Sequence, residues 1–141
     1  MLGDPHEAED VVQDTFRSAW KSRKRFEEGR GPRAWLAAIL RRRVIDRWRR
    51  RDRIRVLDSS HALDRAVEPE DPLANEYCDE VQRALNRLPR ELREALLLVV
   101  VGELTHQEAA DLLEVPLGTV LSRVSRARAR LREYLLTKIQ D

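Results

Sequence analysis

The chain is poor in cysteine, aromatic side chains and long apolar runs, and each shortage excludes a class of protein. Cys78 is the single cysteine among 141 residues, so no internal disulfide can form, which fits a reducing cytoplasm. The longest apolar run has seven residues, Ala95 to Val101, too few to span a membrane, and Met1 does not open a signal-peptide pattern. Aromatic residues are 5% of the chain, so a core of Leu, Val, Ile and Ala is expected, which favours small helical modules over a large catalytic cavity.

The sequence also lacks the residue patterns of a catalytic or metal centre. His6, His61 and His106 lie far apart, and no cysteine stands at metal-ligand spacing from any of them. Gly29 and Gly31 belong to a loop and do not form a phosphate-binding glycine motif. No Ser-His-Asp arrangement or pair of catalytic carboxylates is recognisable. We therefore expect the protein not to be an enzyme and to hold neither a metal nor a cofactor.

The net charge of +2 hides a division of the chain into blocks of opposite sign. Residues 1–16 hold five acids and no Lys or Arg, whereas residues 17–55 hold sixteen basic residues against four acids. Residues 56–80 are acidic, with eight acids against one base, and residues 119–138 hold six bases against one acid. This separation is more informative than the net charge, because it defines two basic segments joined by an acidic one.

Two helices are predicted in the first half of the chain. Asp4 caps the first, Pro5 suits its first position, and Glu7 follows Asp4 at capping-box spacing. Apolar residues recur along it at helical spacing: Ala8, Val11, Val12, Phe16, Ala19 and Trp20. After a loop around residues 27–31, Pro32 starts a second helix that is expected to end near Arg51.

Residues 54–75 interrupt this helical pattern. They combine serines and prolines with many acids, which predicts a flexible linker whose acids would repel phosphates and so would not bind duplex DNA tightly. The second half is helical again, with apolar stripes at Tyr77, Val81, Ala84, Leu85 and Leu88, and at Leu92, Ala95, Leu96, Val99 and Val100. Gly102 is placed to end the second of these helices. The predicted fold class is all-α, with two small helical domains at residues 1–53 and 76–141 on either side of the linker.

The strongest local pattern runs from Thr105 to Arg130. Thr105 and Glu108 form a capping-box pair for a short helix, residues 115–118 form a turn, and Thr119 caps or begins a last helix that ends near Leu136. The apolar stripe of this last helix is Val120, Val124, Ala127, Leu131 and Leu135. A short helix, a tight turn and an arginine-rich helix form the helix-turn-helix pattern, which places a helix in the major groove of DNA.

The exposed face of the last helix holds the candidate DNA contacts. Its first turns can reach base edges or phosphates, and its later arginines can contact the flanking backbone. The candidates are Thr119, Ser122, Arg123, Ser125, Arg126, Arg128 and Arg130. The alternative is an ordinary amphipathic helical hairpin with a solvated arginine face, but cap, turn and charge together favour DNA binding.

The helix that begins near Arg33 is the second basic segment. Its arginines can bind the phosphates of any nucleic acid, and Trp35 and Trp48 beside them can stack on unpaired bases. Taken alone, each tryptophan is more commonly a core residue, and a basic run is often a solvated face. Two basic helices in one short chain, joined by an acidic segment, favour a nucleic-acid partner.

Several motifs together resemble the extracytoplasmic-function (ECF) sigma factors, which are transcription initiation subunits. Similar to their region 2 are residues 8–16 (AEDVVQDTF), 19–20 (AW), 33–36 (RAWL) and 44–50 (VIDRWRR). Similar to their region 4 are residues 88–89 (LP), 108–110 (EAA), 115–120 (VPLGTV), 122–123 (SR) and 126–128 (RAR). The order and the spacing both match, over most of the chain outside the linker.

This resemblance implies a sigma factor that directs core RNA polymerase to promoters and assists DNA melting. The first helix would dock on the polymerase clamp through Glu9, Asp10, Gln13, Asp14 and Arg17. The loop that begins at Phe26 and the basic helix would engage the melted −10 element through Phe26, Arg33, Trp35, Arg42, Arg43, Asp46, Arg47, Arg49 and Arg50. The last helix would read the −35 element as duplex DNA. An anti-sigma protein would hold the activity in check.

The chain departs from the family pattern at three places. Members normally have a further helix before the one that begins here, so an apolar face is expected to be partly exposed: Val11, Val12, Phe16 and Trp20. Arg42 stands where the family often has Asn. Leu121 and Ser125 stand where basic, larger polar or aromatic residues are common on the reading helix.

Two other functions stay open on the sequence alone. A stand-alone helix-turn-helix regulator would use residues 105–130 but leave the acidic face of the first helix without a role. A truncated, sigma-like decoy would bind polymerase or an anti-sigma protein and fail to open promoters. The missing helix is the feature that favours the decoy.

Overall fold

A computed structural model of the chain describes residues 2, 4–27, 29, 31–57 and 76–139. Across those residues it contains one short 3-10 turn, Arg23–Arg25, and no strand. The helices are α1 Pro5–Ser22, α2 Pro32–Leu57, α3 Glu76–Arg87, α4 Arg90–Val100, α5 His106–Leu113 and α6 Leu117–Ile139. Two compact units result, an N-terminal unit of α1 and α2 and a C-terminal unit of α3 to α6, which confirms the all-α, two-domain prediction. The predicted linker beyond Leu57 lies outside the described residues.

The start of α1 follows the local sequence. Asp4 is the N-cap, because its Oδ1 accepts a 2.9 Å hydrogen bond from the backbone N–H of His6. Pro5 occupies the first turn, where its missing N–H costs no hydrogen bond. Glu7, which was expected to complete a capping box, instead pairs with Arg51 of α2. The start of α1 is thereby tied to a distant turn of α2.

The seam between α1 and α2 is thin. Among the described residues of this unit, the buried hydrophobic side chains are Val11 and Ala19 of α1 and Val44 of α2. Thr15 is buried as well, and its hydroxyl donates to the Val11 carbonyl oxygen at 2.7 Å. This bond satisfies the polar group that burial would otherwise leave without a partner.

Three apolar side chains of α1 lie on the surface at spacing i, i+4 and i+8. Val12, Phe16 and Trp20 form this exposed strip, and the two aromatic residues are 62% and 69% exposed. The guanidinium of Arg23 lies 4.3 Å from the centre of the Trp20 ring and covers one of its faces. The expected exposure is found for these three residues, whereas it was wrong for Val11, which is buried.

α2 is longer than its sequence pattern predicted. It ends at Leu57 rather than near Arg51, so residues 54–57 of the predicted linker are helical. Residues 52–57 contain no proline or glycine, and nothing in the backbone stops the helix there. The loss of apolar periodicity after Arg51 therefore marks the end of packing, since Ile54 and Val56 are exposed, and not the end of the helix.

The C-terminal unit closes on one contiguous apolar core. Its buried members are Leu88, Leu92, Ala95, Leu96, Ala109, Ala110, Val120, Val124 and Ala127. The alanines of α5 let this short helix approach α6 closely, and the buried face of α6 is the predicted stripe. Val100, which was expected on the buried face of α4, is exposed because it lies on the last turn of the helix.

The turn after α4 depends on a glycine. The Gly102 N–H donates to the Leu97 carbonyl oxygen at 2.9 Å, and a Cβ on Gly102 would lie 2.7 Å from the Leu98 carbonyl oxygen. The left-handed backbone conformation falls on the next residue, Glu103, with a φ of 53°. Gly102 is therefore required for the close approach of the two backbone segments, while Glu103 makes the left-handed turn.

The capping box of α5 is complete, as predicted. The Glu108 N–H donates to Thr105 Oγ1 at 3.1 Å, and the Thr105 N–H donates to Glu108 Oε2 at 2.8 Å. Glu114, with a φ of 56°, turns the chain sharply after α5. α6 begins at Leu117, earlier than predicted, so Thr119 lies in its first turn and does not cap it. The tight turn between the two helices confirms the helix-turn-helix.

Candidate nucleic-acid interface

α6 has one buried side and one solvent side. Val120, Val124 and Ala127 hold it against the core. Of the predicted DNA contacts on this helix, Thr119 is half-buried, Arg123 is mostly covered, and the exposed ones are Ser122, Ser125, Arg126, Arg128 and Arg130. A helix seated on a close-packed core is a rigid support, so its exposed side chains keep a fixed register.

A hydrogen-bonded edge links three of the predicted contacts. The Ser122 hydroxyl donates to the Thr119 carbonyl oxygen at 3.0 Å. Arg126 donates from Nε to the Ser122 carbonyl oxygen at 3.3 Å and from Nη2 to Ser122 Oγ at 3.4 Å. Thr119, Ser122 and Arg126 are therefore neighbours along one edge of α6. The exposed guanidinium of Arg126 makes only long, local bonds, so it can exchange them for a phosphate or a base.

Arg123 is held differently from the other arginines of α6. Its Nη2 lies 3.4 Å from Glu91 Oε2 on α4, and its side chain is only 18% exposed. Glu91 itself is 72% exposed, so the pair lies at the rim of the core. The contact joins α6 to the first turn of α4, which gives Arg123 a role in seating the helix. Sequence spacing could not reveal this contact, because the two residues lie on different helices.

A groove runs along a second edge of α6, beside the start of α5. This reading groove encloses about 410 Å³ and is lined by His106, Leu121, Val124, Ser125, Arg128, Ala129 and Arg132. Ser125 and Arg128 were predicted as DNA contacts, but His106 and Arg132 were not. Arg132 follows Arg128 by one helical turn, a signal that the sequence contained. His106 joins the groove only because α5 folds back on α6.

α1 brings together the predicted polymerase contacts. Glu9, Asp10, Gln13, Asp14 and Arg17 recur at spacing that places them on one face of the helix. All but Asp14 are well exposed, and Arg17 Nη1 lies 3.6 Å from Asp14 Oδ1. The exposed apolar strip of α1 borders this face. Acidic, polar and apolar groups side by side suit contact with another protein more than contact with DNA.

The arginines of α2 do not form a single face. Trp35, Arg42, Asp46 and Arg49 recur at intervals of seven, four and three residues and therefore lie along one side. Arg43 and Arg50 lie near this side, whereas the spacing places Arg33 and Arg47 nearer the opposite side. The structure thus brings together most, but not all, of the residues predicted for the −10 element.

An aromatic pair positions the loop before α2. Phe26 and Trp35 meet edge to face, with their ring centres 5.1 Å apart and their planes at 61°. Both side chains are half-buried, so each keeps a surface that can stack on a base. Phe26 follows the 3-10 turn and Trp35 lies in the first turn of α2. Their contact joins the two ends of the loop.

A second groove lies between α1 and α2. It encloses about 600 Å³ and is lined by Asp14, Arg17, Ser18, Lys21, Ser22, Ile39, Arg42, Arg43 and Asp46. Arg43 Nη2 donates to Ser18 Oγ at 2.6 Å across the seam. The groove therefore joins residues predicted for polymerase to residues predicted for DNA, which the sequence placed in separate sets.

Other kinds of site are not visible in the part of the chain that the structure describes. No group of His, Cys, Asp or Glu side chains there could hold a metal ion. No helix among the described residues is both long and apolar enough to cross a membrane. Buried side-chain nitrogen and oxygen atoms in these residues all have hydrogen-bond partners.

Comparison with protein families identifies both halves of the chain. Residues 1–54 match the model of sigma-70 region 2, and residues 78–131 match the model of sigma-70 region 4. The first match covers α1 and most of α2, including the predicted polymerase and −10 residues. The second covers α3 to the middle of α6, including the helix-turn-helix. Family similarity thus extends over both compact units and is not confined to the helix-turn-helix.

Individual relatives are similar over nearly the whole chain. The ECF RNA polymerase sigma factor SigE of Mycolicibacterium smegmatis is 38% identical over 96% of this chain, which spans 54% of that protein. SigW of Bacillus subtilis is 32% identical over 96% of this chain and 79% of its own length. The sigma factor RpoE from Bartonella quintana, solved in complex with the anti-sigma factor NepR, superposes with a TM-score of 0.84 at 33% identity, covering 95% of this chain and 84% of RpoE. The chain belongs to the ECF RNA polymerase sigma factors of the sigma-70 family, which direct transcription initiation at promoters.

Proposed function

We propose that this chain binds core RNA polymerase, directs it to specific promoters and assists in melting them. The observation that supports this most strongly is the hydrogen-bonded edge of Thr119, Ser122 and Arg126 on a firmly seated helix, in a chain whose other unit matches region 2. Binding and positioning account for the whole activity. The proposal therefore includes no catalytic residue, no covalent step and no cofactor.

In the proposed complex, α6 reads the −35 element in duplex form. Thr119, Ser122 and Arg126 face the base edges and the nearer phosphates from one edge of the helix. Ser125 and Arg128 act from the reading groove, and Arg130 contacts the flanking backbone. Arg123 contributes indirectly, because its contact with Glu91 holds the helix at the angle from which the others reach DNA.

The N-terminal unit engages the melted −10 element in this proposal. Phe26 and Trp35 offer aromatic faces to unpaired bases, and Arg42, Asp46 and Arg49 extend the same side of α2. Phosphates of the displaced strand are neutralised by the remaining members of the predicted set: Arg33, Arg43, Arg47 and Arg50. Basic side chains distributed around a helix suit a strand that crosses it.

The polar face of α1 is the proposed docking surface for polymerase. Glu9, Asp10, Gln13, Asp14 and Arg17 lie on this face, away from the buried seam of Val11, Thr15 and Ala19. Acidic side chains there would be repelled by DNA but can pair with basic groups on a protein. A stand-alone helix-turn-helix regulator would have no use for this surface, because it does not dock on polymerase. The similarity of residues 1–54 to region 2 therefore argues against that rival.

Regulation by an anti-sigma protein is the further expectation. RpoE from Bartonella quintana, which shares 33% identity with this chain, was solved with the anti-sigma factor NepR. We propose that a protein of this kind covers one or both units here. A cytoplasmic location follows from the proposed work on polymerase and DNA. We propose region 2 in residues 1–53 and region 4 in residues 76–141, while the first four residues of the predicted linker, 54–57, continue α2.

Replacement of Arg126 by Ala tests the reading role of α6. Polymerase holoenzyme assembled with the full chain is titrated with a promoter duplex at moderate salt, and Arg83→Ala on α3 is the matched control. Loss of a bidentate arginine contact costs about 1–3 kcal/mol, so Arg126→Ala is expected to weaken binding roughly fivefold to a hundredfold. Arg83→Ala leaves the affinity unchanged. Equal affinities for Arg126→Ala and the parent chain would count against α6 as the reader.

A further inference from the structure

The exposed leucine of the reading groove has no packing role that explains it. Leu121 is 48% exposed in the second turn of α6, although the outward positions around it are Ser122 and Ser125. The stripe that seats the helix is formed by Val120, Val124 and Ala127, so Leu121 is not required for the core. Leu117, one helical turn earlier, is 40% exposed, so the two leucines form an exposed apolar strip that an apolar group of a partner can contact.

The surroundings of Leu121 resemble a channel for one DNA strand. The reading groove has an apolar part, formed by Leu121, Val124 and Ala129. Beside it lie two basic side chains, Arg128 and Arg132. The arginines can bind the phosphates of a strand that follows the groove, because neither lies within ion-pair distance of a carboxylate among the described residues. A strand held there brings the major-groove edge of its bases toward Leu121. In that groove the only apolar group that a base presents is the C5-methyl of thymine.

We infer that Leu121 is a specificity-determining residue, which selects thymine at one position of the −35 element through contact with its methyl group. Ser125, on the same side of α6, is small enough to leave room for that methyl group. This assignment rests on the proposed function, since it requires α6 to lie in the major groove of the −35 element. Beyond the proposed function, the assignment specifies which base Leu121 favours and which chemical group of that base it contacts.

The experiment compares thymine with deoxyuracil, which lacks only the methyl group. Holoenzyme containing the full chain first selects fragments from a pool that is randomised over the −35 region. Each thymine in the selected element is then replaced singly by deoxyuracil, and competitive affinities are measured. The chain variants are Leu121→Ala and, as a matched control on the same helix, Leu136→Ala, whose leucine is 53% exposed far from the first turns. Both leucines are exposed, so neither change opens a cavity.

At one position, the fragment with thymine is expected to bind the parent holoenzyme about threefold to fivefold more tightly than the fragment with deoxyuracil. This is the range for burial of one methyl group. Leu121→Ala removes this preference, and Leu136→Ala keeps it. The inference is overturned if Leu121→Ala retains the preference, or if no thymine is distinguished from deoxyuracil while a −35 sequence is still selected. If no −35 sequence is enriched at all, the proposed reading role of α6 fails, and the inference fails with it.

Discussion

The two compact units bury their apolar side chains to very different degrees. The C-terminal unit surrounds Leu96, Ala109 and Val120 with six further buried residues, so its arginine-rich helix rests on a closed core. In the N-terminal unit, the described residues bury only Val11, Ala19 and Val44 among the hydrophobic ones, while Phe16 and Trp20 stay on the surface. The unit proposed to read duplex DNA therefore has a closed apolar core of its own. The unit proposed to meet polymerase and melted DNA keeps apolar groups available for partners.

The arginines of the two units differ in the same way. On α6 the exposed arginines project from a helix that the core holds in place, and Arg123 is held against Glu91. On α2 they surround the helix, and Arg43 and Arg51 reach across to Ser18 and Glu7 of α1. A fixed array suits the regular grooves of duplex DNA, whereas a helix with basic groups on several sides suits an irregular, melted strand.

The largest expected effect comes from opening the closed core. Leu96→Ala removes a buried side chain of α4 and should lower the free energy of unfolding of the C-terminal unit by about 2–5 kcal/mol. Urea unfolding monitored by circular dichroism measures this free energy. Val101→Ala, at an exposed position, is the control and should change stability by less than about 0.5 kcal/mol. All three tryptophans lie in the N-terminal unit, so tryptophan fluorescence follows that unit separately. An equal shift of the fluorescence transition in Leu96→Ala would mean that the two units unfold as one, against the expectation of two separate cores.

A smaller effect distinguishes two glycines of the C-terminal unit. Gly102→Ala places a Cβ 2.7 Å from the Leu98 carbonyl oxygen and should cost about 1–3 kcal/mol, because backbone must move. Gly118→Ala meets nothing within 4 Å and should stabilise α6 by up to about 1 kcal/mol, since alanine is the better helix former. Thermal unfolding of both variants shows whether each change lowers or raises the melting temperature. Destabilisation by Gly118→Ala would show that the start of α6 does not keep a regular helical backbone.

The smallest effect concerns the surface pair that ties α1 to α2. Glu7→Gln breaks the contact with Arg51, whose side chain is about half exposed, and should lower the stability of the N-terminal unit by less than about 1 kcal/mol. The loss should shrink as salt is added, because exposed charges are screened. Glu9→Gln on the same helix is the control. A loss of several kcal/mol at Glu7 would mean that this pair, and not the thin apolar seam, holds the unit together.

Local features of the fold were predictable because they depend on residues close in sequence. The capping box of Thr105 and Glu108 and the N-cap at Asp4 were located from spacing alone. The core stripe of α6 was predictable for the same reason, since a helical repeat places Val120, Val124 and Ala127 on one side. Five of the seven predicted DNA contacts of α6 follow from that stripe, because they occupy positions that it leaves exposed: Ser122, Ser125, Arg126, Arg128 and Arg130.

Features that join distant residues could not be read from the sequence. Arg123 has the same sequence pattern as its neighbours, and only the packing of α4 against α6 brings Glu91 to it. His106 enters the reading groove for a similar reason, because α5 folds back on α6. The end of α2 was missed for a different reason. No breaker follows Arg51, and the helix continues without apolar packing to signal it.

The measurement that tests the central claim most directly is run-off transcription with purified core RNA polymerase and a pool of promoter fragments. It requires the polar face of α1, the basic helix α2 and the exposed side of α6 to work together. We expect transcripts from a small subset of fragments when the full chain is present, and a marked loss of those transcripts with Arg126→Ala but not with Arg83→Ala. Polymerase that binds the chain and yields no promoter-dependent transcript from any fragment would instead favour a sigma-like decoy.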